Sequence, residues 1–303
     1  MVDENLLTTA KAANIIGVHE SSVKRWCNSK KILTQLTQGG HRRILWNDLL
    51  SYANEEKIIH PFNIFKENGL NVYLAKEYFL KKDNLEKLSD ILFEWIAKVD
   101  YKYLVPFINY CYKDLKIPFK NICDKLIFPS LKLVGDKWED RSLCIADEHR
   151  VTQEWIYALS SIRQDILQTM ENENSIVTRA IVSCSDENTH EIAALCLRIV
   201  LELNGYQVIY LGSRVPANEI AATQLNEKCD LVCISFSPLD SVQSFKDYIT
   251  TLESRYESKS AYTLVVGGQG IANCQEILEK TNTFKGIDHI QDFSSFENWL
   301  KSH

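Results

Sequence analysis

The stretch Ser185-Asp186-Glu187-Asn188-Thr189-His190-Glu191-Ile192-Ala193 decides how the chain is read. The apolar run Ala180-Ile181-Val182-Ser183-Cys184 leads into it, and an apolar helical run from Ile192 to Leu203 leads out. It reads as a strand-to-helix loop at the carboxyl end of a parallel strand, where open α/β sheets bind ligands. His190 is the residue of this loop able to offer a neutral nitrogen to a transition metal. A solvated loop histidine that caps or hydrogen-bonds is the ordinary alternative, and features elsewhere in the chain bear on the choice.

Downstream, strands and helices alternate. Strands are expected at 179–184, 207–211, 231–235, 262–267 and about 286–291, with helices at 190–204, 216–227, 241–256, 274–280 and 294–302. Five such repeats make a flavodoxin-like α/β doubly wound parallel sheet. Two more loops then fall at strand carboxyl ends. Ser235-Phe236-Ser237-Pro238 ends the third strand and Gly267-Gly268-Gln269-Gly270 ends the fourth.

Upstream of the polar segment Glu171–Ser175, residues 61–170 read as helical, with Gly69 and Gly135 their only glycines and Pro61, Pro106, Pro118 and Pro129 as punctuation. Apolar positions recur at three- and four-residue spacing, as in Leu85, Leu88, Ile91, Leu92, Trp95 and Ile96. Short links between such segments describe a four-helix bundle.

The amino-terminal segment differs in charge. Residues 9–46 hold Lys11, Lys24, Arg25, Lys30, Lys31, Arg42 and Arg43 against Glu20 alone, a net +6 within a chain of net −6, so the remainder carries −12. Such a head favours polyanions and the body avoids them. Two short helices around Gly17-Val18 are expected, the second from Ser22 to Cys27, with Val23 and Trp26 inward. Ser21, Ser22, Lys24 and Arg25 are left for a groove. Apolar segments around Gly39-Gly40, followed by His41-Arg42-Arg43, describe a β-hairpin wing that touches phosphate. The chain is thus expected to be multidomain: a winged helix-turn-helix at 1–55, a helical-bundle cap at 60–170 and a Rossmann-like domain at 176–303, with a connector at 53–60.

Nine cysteines lie scattered through apolar segments without a C-x-x-C, and the opening Met1-Val2-Asp3-Glu4-Asn5 is unlike a signal peptide. No apolar run approaches ~18 residues, so no membrane span is expected. Reduced core cysteines in a cytoplasmic protein follow.

Three resemblances attach to these motifs. Residues 6–52, above all Gly39-Gly40-His41-Arg42-Arg43, resemble the winged helix-turn-helix of MerR and excisionase-like regulators. That implies operator DNA as partner, with Ser22, Lys24 and Arg25 at the groove and His41, Arg42 and Arg43 at the wing. Trp138 followed after nine residues by Glu148-His149 resembles the cap signature of cobalamin-binding light regulators of the CarH and LitR type. There the tryptophan covers the adenosyl group and the Glu-His pair lines the same pocket. The three loops resemble the cobalamin module of methionine synthase and the mutases, D-x-H-x-x-G, S-x-L and G-G. Here 41 residues separate Ala193 from Ser235, and 29 separate Ser237 from Gly267. By this likeness His190 binds cobalt from below. The nucleotide tail passes Ser235, Ser237, Gly267 and Gly268, Arg214 stands beside the ring, and Asn188 takes the place of the acid that partners the imidazole.

The sequence departs from these patterns at Asn188 for aspartate, Ala193 for glycine and Ser237 for leucine. It also has Glu139 where some members carry a second histidine. The resemblance implies a non-enzymatic transcription regulator, a repressor, controlled by adenosylcobalamin and light. Photolysis of the cobalt–carbon bond would change a homotetramer built as a dimer of dimers. The departures leave open the same architecture sensing another cobalamin form, a bilin, or no ligand. A corrinoid methyl-transfer carrier is the reading from another class, and the basic head argues against it.

Overall fold

The structure, a computed structural model, describes residues 6–170, 178–238, 240–271 and 273–303. The polar segment at 171–175 and the acidic start at 1–5 lie outside the described residues. The chain folds as two compact units, Met1–Pro106 and Phe107–His303, and each is described by itself.

In the first unit, Leu6–Leu7 (β1), Gln35–Leu36 (β2) and Arg42–Leu45 (β3) form an antiparallel sheet in the order β1-β3-β2. Between β1 and β2 lie helices Thr9–Ile15 (α1) and Glu20–Asn28 (α2), and Trp46–Glu55 (α3) follows β3. Thr8 caps α1 by accepting the Lys11 N–H. Helix α2 begins two residues earlier than the expected Ser22, because the imidazole of His19 accepts the Ser21 N–H at 3.3 Å and supplies the cap. Val23 is buried as expected, whereas Trp26 is half-buried, with its ring centroid 4.9 Å from that of Tyr52. Beyond α3 come a 3₁₀ segment Pro61–Asn68 and helices Gly69–Lys82 (α4) and Glu86–Ala97 (α5), closed over Phe62, Phe65, Tyr73, Leu92 and Trp95. The helical stretch 60–170 is therefore shared between the two units, with Leu104–Lys113 (α6) running across the boundary.

The second unit contains Phe119–Ile122 (α7), a π turn Cys123–Ile127, Phe128–Glu139 (α8) and the long helix Ile145–Met170 (α9). Apolar residues at Phe119, Ile122, Leu126 and Ile127 keep helical spacing through this stretch. The π turn interrupts it because Pro129, in the first turn of α8, has no N–H for the carbonyl four residues back. The sheet follows: Arg179–Cys184 (β4), Ile192–Leu203 (α10), Gln207–Gly212 (β5), Ala217–Glu227 (α11), Leu231–Ser235 (β6), Val242–Ser254 (α12), Thr263–Gly267 (β7), Gln275–Lys280 (α13), Gly286–Ile290 (β8) and Phe293–Ser302 (α14). All its pairings are parallel, in the order β5-β4-β6-β7-β8. The expected strands and helices thus stand within about two residues of their places, a scatter normal for helix and strand ends.

The central strands are buried on both faces, which is why β4 and β6 read as unbroken apolar runs rather than alternating ones. Register places Cys184 opposite Ser235, Ser235 opposite Gly267 and Gly267 opposite Ile290, so the strands end in one row. Strand order reverses between β4 and β6, and that is where a doubly wound sheet opens a crevice.

Two side-chain joints fasten the helices to this sheet domain. Glu202 on α10 is buried and accepts from Arg163 on α9 at 2.9 and 3.0 Å and from Arg198 at 3.0 Å. Asp124 in the π turn accepts the N–H groups of Phe293 and Ser294 at 3.0 Å each and the Ser294 hydroxyl at 2.6 Å, while Asp292 accepts the Ser295 N–H. Two carboxylates thereby satisfy the open amides of α14. Among the described residues, no helix is long and apolar enough to cross a membrane.

Replacing Asp124 by Ala strands the first amides of α14. Urea unfolding should show a loss of about 1–2 kcal/mol, in the range of a lost helix cap.

Candidate functional site

Three loops converge at the carboxyl ends of β4, β6 and β7. The first is pinned by Asn188, which is buried to 1% exposure. Its side-chain NH₂ donates to the Ser235 carbonyl at 3.0 Å, and its side-chain oxygen accepts the His190 N–H at 2.8 Å. Both ends of the amide are thus committed to backbone, and Asn188 acts through the shape of the loop. Its own carbonyl accepts the N–H of Arg214, a residue held at φ +56°. A non-glycine residue in that region is uncommon, and the bond to Asn188 helps fix it there.

His190 is exposed, and among the described residues neither ring nitrogen is engaged. Its main chain is held by Asn188 on the N–H side and by the Cys184 thiol, 3.7 Å away, on the carbonyl side. The result is a pinned backbone with an available imidazole in the loop after β4. Glu191, next in sequence, accepts from the Tyr210 hydroxyl at 2.7 Å and from Ser213 at 2.9 Å. Burial and the neighbouring Glu191 carboxylate push the Tyr210 phenol well above its usual range. Glu187 is held by Ser244 on α12 at 3.0 Å.

The second loop is built round a carboxylate that no motif marks. Asp240 is 6% exposed. It accepts from the Ser185 hydroxyl at 2.6 Å, from the Ser237 N–H at 2.6 Å and from the Ser237 hydroxyl at 3.1 Å. Ser235 and Ser237 are buried in the same loop. Burial raises the carboxyl of the nearby Asp186, with Glu187 and Asp240 adding repulsion. Burial, followed by the Glu191 and Asp240 carboxylates, raises the Cys184 thiol to about 12. This keeps it protonated.

The third loop packs backbone against backbone. The Gly267 carbonyl accepts the Phe236 N–H at 2.9 Å. Gly268 sits at φ +104°, where a Cβ would lie 2.0 Å from the Phe236 carbonyl oxygen, and a Cβ on Gly270 would lie 2.0 Å from that of Ser237. Only glycine permits this approach. Ala193 lies half-buried in the first turn of α10. Tyr248 on α12, likewise unmarked in the sequence, donates to the Val215 carbonyl at 2.9 Å and so anchors the loop that carries Arg214.

The remaining sequence-marked residues lie on helices of the same unit. Trp138, at the carboxyl end of α8, is 52% exposed. Glu148 and His149 open α9, their side chains 3.5 Å apart, with Thr152 donating to Glu148 at 3.1 Å. Among the described residues, no group of three or more His, Cys, Asp and Glu side chains gathers as an ion site. The cysteines are free, all buried except Cys144.

In the first unit, Lys24 and Arg25 are exposed on α2 and Ser22 is half-buried. Lys24 pairs with Glu20 at 3.1 Å, and Thr9 donates to Glu20 at 2.6 Å. The Thr9 hydrogen bond, followed by that of Lys24, lowers the Glu20 carboxyl. Arg42 on β3 donates to Asn28, the last residue of α2, at 2.6 Å, while Arg43 donates to the Arg42 carbonyl at 3.3 Å. His41 is exposed in the turn, and its N–H donates to Thr37 at 3.1 Å.

Comparison with known proteins fits these two regions. Residues 178–292 match the family model described as the B12 binding domain, and residues 6–57 match a helix-turn-helix domain model. The HTH-type transcriptional repressor CarH of Myxococcus xanthus is 28% identical over 166 residues, 54% of this chain and 52% of that protein. The chain thus spans about half the length of this relative. The HTH-type transcriptional repressor CarA of the same organism is 27% identical over 267 residues, covering 85% of each. Among solved structures, the monomethylamine corrinoid protein of Methanosarcina barkeri superposes with a TM-score of 0.57 at 17% identity, over 73% of this chain and 100% of that one. That likeness is one of fold.

The close approach of the third loop sets a test. Gly268→Ala must push the Phe236 carbonyl away and strain a left-handed residue, so thermal and urea unfolding should report a loss of about 2 kcal/mol or more.

Proposed function

Since the chain resembles the CarH-type cobalamin-binding transcription regulators, we propose that it is a repressor that binds operator DNA through residues 1–55 and senses adenosylcobalamin through residues 176–303. The observation that carries this reading is the exposed, unengaged imidazole of His190 on a doubly pinned backbone at the switch point of the sheet. In this reading His190 would hold the cobalt through its free ring nitrogen. Ser235, Ser237, Gly267 and Gly268 border the slot for the nucleotide tail, with Arg214 at its edge. Asn188 holds the loop rather than the ligand.

Trp138, Glu148 and His149 form the cap over the upper face, within the helical segment 60–170. A half-exposed indole has the flat apolar area to replace water over an adenosyl group. When bound, adenosylcobalamin supplies a cobalt–carbon bond that visible light breaks. The protein's part would be to offer the His190 nitrogen, to exclude water beside Trp138, and to couple occupancy of the site to its assembly. A tetramer, as a dimer of dimers, gathers several weak heads into one tight binder by effective concentration. The protein is not an enzyme in this reading, and it works in the cytoplasm.

In this reading the head is a winged helix-turn-helix, with α2 for the groove and the β2–β3 hairpin as wing. Arg42 fastens the wing to the end of α2 through Asn28. Ser22, Lys24 and Arg25 face the groove, and His41, Arg42 and Arg43 meet phosphate.

Adding adenosylcobalamin in darkness to the wild-type protein should give corrin absorption bands that co-elute with a larger oligomer. Green light should change the bands and reduce the size. His190→Ala should lose both tight uptake and the dark oligomer, and wild-type uptake and size in that variant would refute the reading. Glu20 partly neutralises Lys24 beside the groove. Glu20→Gln should therefore strengthen DNA binding severalfold at low salt, whereas Arg25→Ala should flatten the log–log salt dependence by about one unit, as measured by fluorescence anisotropy.

A further inference from the structure

Ser237 stands where the likeness calls for leucine, and on sequence alone that polar substitution counts against a working cofactor slot. The structure places a partner under it. Asp240, 6% exposed, accepts the Ser237 N–H at 2.6 Å and the Ser237 hydroxyl at 3.1 Å. The same carboxylate accepts the Ser185 hydroxyl at 2.6 Å, through its other oxygen. Ser185 ends the β4 side of the crevice, as its N–H donates to the Ser235 carbonyl at 3.0 Å. Asp240 therefore ties the loop that presents His190 to the loop of Ser235 and Ser237, across the switch point.

We propose that Asp240 is a positioning residue for the cobalamin slot: an inner carboxylate that sets the width of the crevice between the β4 and β6 loops before any ligand arrives. The inference rests on the cofactor reading above and deepens it. A leucine at 237 would fill the turn by packing. A serine leaves it open and polar, and the carboxylate supplies the constraint instead.

The turn is self-closing. The Asp240 N–H donates to the Ser237 carbonyl at 3.0 Å, while the Asp240 side chain returns to the Ser237 N–H. Pro238 stands at the second position, where its fixed φ suits a turn. The carbonyl oxygens of Phe236 and Ser237 are in turn the surfaces against which Gly268 and Gly270 pack. A shift of the Ser237 turn is thus passed to the third loop by steric contact. Loss of the Asp240 charge leaves buried donors from two loops with a poorer acceptor. The loops are then free to spread, and a ligand must spend binding energy to close them.

The test uses the full-length chain, with adenosylcobalamin in darkness as the probe. Three quantities are read: affinity by absorbance titration, hydrogen exchange at the Ser237 amide in ligand-free protein, and thermal unfolding. Asp240→Asn should bind adenosylcobalamin about tenfold more weakly at temperatures well below its unfolding midpoint, with faster exchange at Ser237. Ser237→Ala, which keeps the amide bond to Asp240, should lose about twofold to fivefold. The double variant should bind about as Asp240→Asn does, since the hydroxyl acts through the carboxylate. Folded Asp240→Asn protein with wild-type affinity overturns the inference, and so do additive losses in the double variant. Should Asp240→Asn not fold, the decision passes to Ser237→Ala, whose wild-type affinity would overturn it. Wild-type protein that takes up no adenosylcobalamin overturns the cofactor reading itself and this inference with it, an outcome distinct from failure of the variants alone.

Discussion

Parallel pairing of β4 with β6 is the constraint from which the candidate site follows. Register sets Cys184 beside Ser235, and Ser235 beside Gly267, so three loops far apart in sequence leave the sheet in one row. One buried amide then joins two of them. Asn188 gives its NH₂ to the Ser235 carbonyl and takes the His190 N–H, so the histidine's backbone is fixed relative to the neighbouring strand rather than within its own loop alone. A buried polar side chain with both ends satisfied in this way specifies geometry strongly, because any other arrangement leaves a donor or acceptor without a partner.

Charge is used in two ways. On the head it is exposed on α2 and half-buried on β3, where it faces solvent at little desolvation cost. In the sheet unit it is concentrated in buried carboxylates with committed donors. Glu202 lies between two guanidinium groups and connects α9 to α10, and Asp240 lies between two serines. Such groups are costly to leave unpaired, so an arrangement that separates one from its donors is strongly disfavoured. Helix α9, which opens with Glu148 and His149, is thereby bonded to the helix that follows the His190 loop.

Much of this is legible in the sequence, and particular residues show why. The strands 179–184 and 231–235 stand where apolar runs bounded by turn residues put them, since a central parallel strand is buried on both faces. His190, Ser235 and Gly267 stand out because each sits at a strand end with a fixed interval to the next. Asp240 carries no such mark. It lies outside the strand-end spacing, and an aspartate in a loop with serine and proline is ordinary turn chemistry. Tyr248 is equally silent, an aromatic at a helical position whose hydroxyl finds the Val215 carbonyl only when α12 docks. The cap at His19 escapes the pattern because histidine is an unusual N-cap, and the π turn at Cys123–Ile127 because the effect of Pro129 falls on the preceding turn.

The sequence by itself determined the element order, the alternation of strand and helix, the basic head on an acidic body, and the loops in which ligand chemistry would lie. These follow from periodicity, composition and spacing, which are local properties of the chain. Only the tertiary structure decided what each polar side chain does. It turned Asn188 from a possible partner of the imidazole into a clamp on the backbone, engaged Glu187 with Ser244, and placed Asp240 beneath Ser185 and Ser237. Hydrogen bonds act over about 3 Å and depend on direction, so their partners are fixed only once strands distant in sequence have been brought into register.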